Sequence, residues 1–133
     1  MMFKAPKKCP CGNGLYRKCC GRFHPLFAGE SVALPKNVEL LMRSRYSAFA
    51  LGMADYLLET WHPSTRPSEL DFSDSPKWLQ LDIYNAEQSG DEGRVHFCAY
   101  FQFDGEVGEH EELSAFVRED GRWYYLKPIE SLN

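Results

Sequence analysis

The chain has 133 residues, 44% of them hydrophobic and 14% aromatic, with a formal charge of −4 at pH 7. That length allows one modest domain with a real core, and the composition excludes a disordered tail. No apolar run approaches the length of a membrane span.

The first feature along the chain is Cys9-Pro10-Cys11-Gly12-Asn13-Gly14-Leu15-Tyr16-Arg17-Lys18-Cys19-Cys20, which holds four of the five cysteines. Thiols this close in sequence suit a soft divalent ion. Four thiolates, or three with the imidazole of His24, complete the tetrahedral sulfur-rich shell that zinc favours. Gly12 and Asn13-Gly14 tolerate positive φ and let the backbone curl round an ion. A disulfide framework is the rival. Adjacent Cys19 and Cys20 bridge each other only through a strained ring, and Cys9 and Cys11 are also poorly placed to pair. Residues 1–8 lack the apolar run of an export signal, which points to a reducing, cytoplasmic compartment. Cysteine arithmetic therefore favours the metal. A closed shell of four thiolates makes that metal structural, because catalytic zinc keeps one position open.

Residues 1–29 carry six bases and no acid, whereas the rest carries nine bases against nineteen acids. Zinc with four thiolates is a net anion, so part of this positive charge stabilises the site. The surplus, carried by Lys7, Lys8, Arg17 and Lys18, forms a basic face suited to an acidic protein surface or a phosphate backbone. The acidity of the rest, and the few aromatics (Tyr16, Phe23) beside the cysteines, favour a protein partner over nucleic acid.

Residues 25–36, punctuated by Pro25, Gly29 and Pro35, read as a linker. The boundary between a knuckle (1–29) and a larger domain (30–133) is placed there. Asn37 is the expected N-cap of a helix from Val38 to about Leu51, stopped by Gly52. On a helical period Val38, Leu41, Met42, Tyr46 and Phe49 share one arc, with Arg45 at its centre and Arg43 well off it. A guanidinium on an apolar face must be paired or snorkel to water. Arg45 is therefore either clamped by a carboxylate or backbone carbonyls, or lines a pocket for an anion. A second helix is expected over Met53–Thr60, with Met53, Tyr56, Leu57 and Thr60 inward. Trp61-His62-Pro63 ends it. His62 is expected to cap a carbonyl there, with general base or ligand as the functional alternative.

From Trp78 the period falls to two. Leu79, Leu81 and Ile83 alternate with polar residues, and Ser89-Gly90-Asp91 turns the chain. Val95, Phe97, Ala99, Phe101 and Phe103 then share a strand face. Asp104-Gly105 and Asp120-Gly121 make hairpin turns on either side of Glu106–Val117, leading into Arg122–Leu126. Helices followed by an antiparallel meander give an α+β fold. On the strand after Glu109, His110, Glu112, Ser114 and Phe116 share one face. If that face is inward, Glu112 becomes the natural partner of Arg45. Cys98 stands apart, mid-strand, and is expected to act as a small buried hydrophobe.

The cysteine stretch resembles the SEC-C motif, the zinc knuckle at the C-terminus of the SecA preprotein translocase. With Leu41-Met42-Arg43-Ser44-Arg45-Tyr46-Ser47-Ala48-Phe49 and Thr60-Trp61-His62-Pro63, the chain resembles the bacterial YchJ family over nearly its whole length. It departs by having Asn13 where the motif usually has Ser, a loop one residue shorter before the cysteine pair, and no second knuckle at the C-terminus. The resemblance implies Cys9, Cys11, Cys19 and Cys20 as ligands of a structural Zn(2+), with His24 as the alternative. It also implies a curved sheet wrapped round the helices, a cone of the cystatin or ketosteroid-isomerase kind. Such cones often hold a small-molecule pocket, whose candidates here are Arg45, Tyr46, Trp61, His62 and Glu112. Phe97, Phe101, Phe103 and Phe116 are expected to fill the cone. No nucleophile–base pair is legible, so an interaction module in the cytoplasm is expected ahead of an enzyme.

Overall fold

The computed structural model describes residues 5–27 and 29–131. Asn37 starts the first long helix, α1 (Val38–Leu51): its side chain accepts from the Leu40 N–H at 2.8 Å. The N–H of Val38, the first residue of the helix, reaches the Gln88 side chain at 3.1 Å, which ties the helix start to the sheet. Gly52, at φ 72°, closes the helix in the left-handed conformation. α2 (Ala54–Glu59) follows at once, with Tyr56 and Leu57 buried. Before α1, single 3-10 turns span Tyr16–Lys18 and Cys20–Arg22.

Four strands, β1 (Lys77–Ser89), β2 (Glu92–Phe103), β3 (Glu106–Glu119) and β4 (Arg122–Ser131), form one antiparallel sheet in sequence order. Asp104 and Asp120 both take positive φ ahead of Gly105 and Gly121, the geometry that matches strand twist in two-residue hairpins. Register shifts interrupt β1–β2 and β3–β4, and such bulges bend the strands. α1 packs against β1, β2 and β4. The segment after α2 is pinned to β4, because Tyr125 N–H donates to Thr60 C=O and His62 N–H to Tyr125 C=O, both at 2.8 Å. Gly93 lets α1 approach: a Cβ there would stand 2.5 Å from Val38 Cγ1. Gly93→Ala should cost about 1–2 kcal/mol in urea unfolding, the usual scale of overpacking. An unchanged midpoint would show that this approach does not constrain the helix.

α1 is buried on two sides. Besides the predicted arc, Ser44, Ser47 and Ala48 are wholly buried, because the cysteine knuckle and α2 both lie against their small side chains. Cys9 Sγ is 3.5 Å from Ser47 Oγ, and the knuckle cysteines join Leu41, Val95 and Phe116 in one buried cluster. Packing is thus continuous across residue 29, where the boundary between knuckle and larger domain is expected from the sequence. Ser47→Leu should push the knuckle off the helix and cost about 1–2 kcal/mol, read by thermal unfolding with metal content measured alongside. Unchanged stability would show that the contact is incidental.

The expectation of a filled cone is corrected. A cavity of about 430 Å³ lies between the helices and the sheet, and Phe97 and Phe101 border it. Phe103, near the hairpin tip, is 49% exposed, and of the four phenylalanines only Phe116 and Phe97 are buried.

Candidate metal centre

A tight hairpin brings the first two cysteines into position. Cys9 N–H donates to Gly14 C=O at 2.8 Å and Gly12 N–H to Cys9 C=O at 3.0 Å. Gly12 and Gly14 sit at φ 87° and 113°, where a side chain would strain the turn. The 3-10 turns then carry Cys19 and Cys20 back towards them. The four sulfurs lie within 4.8 Å of one another, and all four residues are buried. Cys11 and Cys19 Sγ are 3.5 Å apart, Cys19 and Cys20 Sγ 4.0 Å. Four sulfurs about 2.3 Å from a central zinc would be separated by about 3.8 Å, so this donor set fits a tetrahedral ion.

The electrostatics of the thiols are compatible with a cation among them. Cys9 is held far below the ordinary thiol range by hydrogen bonds from Cys11 and Cys20, and then by Ser47. Burial pushes Cys19 up to about 12, and hydrogen bonding to Cys11 and Cys9 pushes Cys20 upward too. One thiolate forms easily at the expense of its neighbours. Four together need a positive centre.

His24 is not placed as a ligand. It is buried, with Nδ1 2.6 Å from the Tyr16 hydroxyl and Nε2 2.8 Å from Ser44 C=O. A neutral ring donating from Nε2 and accepting at Nδ1 satisfies both, and burial holds its pKa below 6.5. It docks the knuckle onto α1. Two arginines support the same loop. Arg22 Nε donates to Cys19 C=O at 2.9 Å, and Arg43 Nη1 to Cys11 C=O at 3.2 Å. The spacing of the cysteines gave no hint of Arg43 or Ser47. Their signal was a second small-residue stripe on α1, with a cation off the apolar arc.

A family model described as "YchJ, middle NTF2-like domain" matches residues 37–128. The chain belongs to the YchJ family. It is similar to a UPF0225 protein of Chromobacterium violaceum, at 43% identity over 132 residues and 95% of each chain. A UPF0225 protein of Bordetella parapertussis is 47% identical over 125 residues and 92% of each chain. Two solved structures are similar throughout. A SEC-C motif containing protein from Rhodopseudomonas palustris has a TM-score of 0.79 at 34% identity, covering 95% of this chain and 99% of that one. One from Psychrobacter arcticus has a TM-score of 0.78 at 28% identity, covering 100% and 87%.

In this YchJ chain Lys7, Lys8, Arg17 and Lys18 are all exposed. Lys8 pairs with Leu15 in a short bridge, and Lys7 C=O accepts from Tyr16 N–H at 3.1 Å, so the two basic pairs flank one hairpin. Arg45, Tyr46, Trp61 and Glu112 border the cone cavity; His62 does not. His62 Nε2 lies 2.7 Å from Glu119 and Nδ1 2.7 Å from Ser64 Oγ, so it neither caps a carbonyl with its ring nor joins the pocket. His110, Glu112 and Ser114 do face inward. The expected Arg45–Glu112 ion pair is replaced by other partners. Arg45 Nη1 donates to Leu57 C=O at 2.8 Å and Thr60 Oγ1 at 2.6 Å, while Glu112 accepts from His110 at 2.9 Å and Ser114 at 2.5 Å. Thr60, held beside Arg45 by the β4 pairing, comes closer than the sheet's carboxylate.

Proposed function

We propose that the YchJ chain is a zinc-stabilised interaction module of the bacterial cytoplasm, whose knuckle offers a basic face to an acidic protein surface. The observation that carries this reading is the burial of all four ligand cysteines beneath a surface still bearing Lys7, Lys8, Arg17 and Lys18. A shell closed to solvent suits a structural ion and leaves no position for a reacting water. All five cysteines are unpaired, as a reducing compartment requires. The SEC-C neighbours support metal binding, and no described helix is long and apolar enough to cross a membrane. Tyr16 and Phe23 are buried at 3% exposure each, so these two rings offer no stacking surface of the kind single-stranded nucleic acid uses.

The test compares partner capture from a bacterial lysate by the metal-loaded protein and by K7E/K8E/R17E/K18E. The intact protein should retain an acidic protein that salt elutes and nuclease does not release, and the variant should lose it at unchanged metal content. Capture that resists charge reversal would remove the basic-face reading. Capture lost to nuclease would replace the protein partner with nucleic acid.

A further inference from the structure

The cone cavity leaves several donors unpaired, although the Glu112 carboxylate is among its walls. Its walls include the aromatic side chains of Tyr46, Trp61, Trp78, Phe101 and Tyr125. Arg45 borders it at only 3% exposure, with its guanidinium carbon 4.7 Å from the Tyr125 ring centre and 5.2 Å from that of Trp61. Nη1 carries both of the hydrogen bonds this side chain makes among the described residues; Nε and Nη2 make none there and are not among the fully buried unpaired atoms, so they are open to the cavity. The indole N–H groups of Trp61 and Trp78 are buried without an acceptor as well. Glu112 does not fill the gap, because one of its oxygens receives His110 and the other Ser114 and, at 3.4 Å, Tyr125. A buried guanidinium with unused donors is costly unless something supplies the acceptor. An apolar cavity with a few convergent polar groups is the usual form of a small-molecule site.

We propose that this cavity binds a small planar aromatic carboxylate, its anionic group on the unused nitrogens of Arg45 and its ring among the aromatic walls. A guanidinium presents a planar fork that matches a carboxylate, and rings set edge to face around a cavity leave room for another ring. Trp78 already stands edge-on to Tyr46 and Phe101, at 6.0 and 5.7 Å between ring centres. This site is separate from the knuckle and stands whether or not the basic face binds a partner.

The test is titration of the full, metal-loaded chain with 1-naphthoate and with 1-naphthamide, which keeps the ring and loses the charge, read by tryptophan fluorescence. Naphthoate should saturate, and the amide should bind about tenfold or more weakly, the scale of one charge-assisted hydrogen bond. Arg45→Met should remove that preference by weakening naphthoate to the level of the amide, at unchanged metal content and circular dichroism. Ala99→Leu adds bulk to a cavity wall at a residue that takes no part in the Arg45 hydrogen bonds and should weaken both probes, so the proposal remains testable even if the Arg45 variant misfolds. Overturning results are no saturation by naphthoate at millimolar concentration, equal affinity for the two probes in the wild type, or full binding by Ala99→Leu.

Discussion

Cys20→Ser should release the metal and lower the melting temperature by roughly 10 °C or more, since about 3 kcal/mol or more is lost. That is only part of the ~10–16 kcal/mol that a structural zinc site can supply to folding. Cys20 is 1% exposed and shares one buried cluster with the knuckle, α1 and the sheet. The loss should therefore appear as a fall of the main unfolding transition, measured by calorimetry, instead of a separate low-temperature event. Cys98→Ala is the control: Cys98 is equally buried but lies outside the group of four. It should keep the metal and lose no more than a small hydrophobe's packing. Equal losses in the two variants would mean that the thiols contribute as packing alone.

Thr60→Val should destabilise the protein by about 3 kcal/mol in urea unfolding, although it preserves shape. Thr60 Oγ1 accepts from Arg45 Nη1 at 2.6 Å and donates to Tyr56 C=O at 2.8 Å. Hydrogen bonds to a charged group are the stronger class, and removing one partner leaves the buried charge short of acceptors. Burial already pulls the Arg45 pKa down to about 10. Removing the charge altogether is a different experiment, because an apolar replacement of a buried ion is often near neutral. Arg45→Met should therefore cost less in the Thr60→Val background than alone, and the double-mutant cycle should give a coupling of about 1–2 kcal/mol. Additive losses would show that the hydroxyl does not support the guanidinium.

These two predictions rest on features of different legibility. The cysteine cluster could be read from the chain because its ligands are close in sequence, and tight turns at Gly12 and Gly14 follow from residue type alone. The two helices and the four strands were equally local: Asn37, Gly52, Asp104-Gly105 and Asp120-Gly121 mark their ends. Arg45 was visible as an anomaly on an apolar arc, but its partners were not. The Leu57 carbonyl is free to accept because α2 ends two residues later, at Glu59, and Thr60 is near because β4 holds the next segment by two backbone hydrogen bonds. Neither fact is written in the periodicity of α1. The docking of the knuckle left a fainter trace, in the small residues Ser44, Ser47 and Ala48 and the misplaced cation Arg43. The cavity left none. Alternation shows which aromatics face inward, not how far apart the walls stand, and the bulges that bend the sheet leave Phe97 and Phe101 around a space they do not close.

Native mass spectrometry of the protein purified under reducing conditions without chelator tests the account most directly. It should give the mass of the chain plus one zinc ion, with Cys9, Cys11, Cys19 and Cys20 slow to alkylate until the metal is stripped. A metal-free mass, with the hairpin around Gly12 still protected from hydrogen exchange, would contradict it.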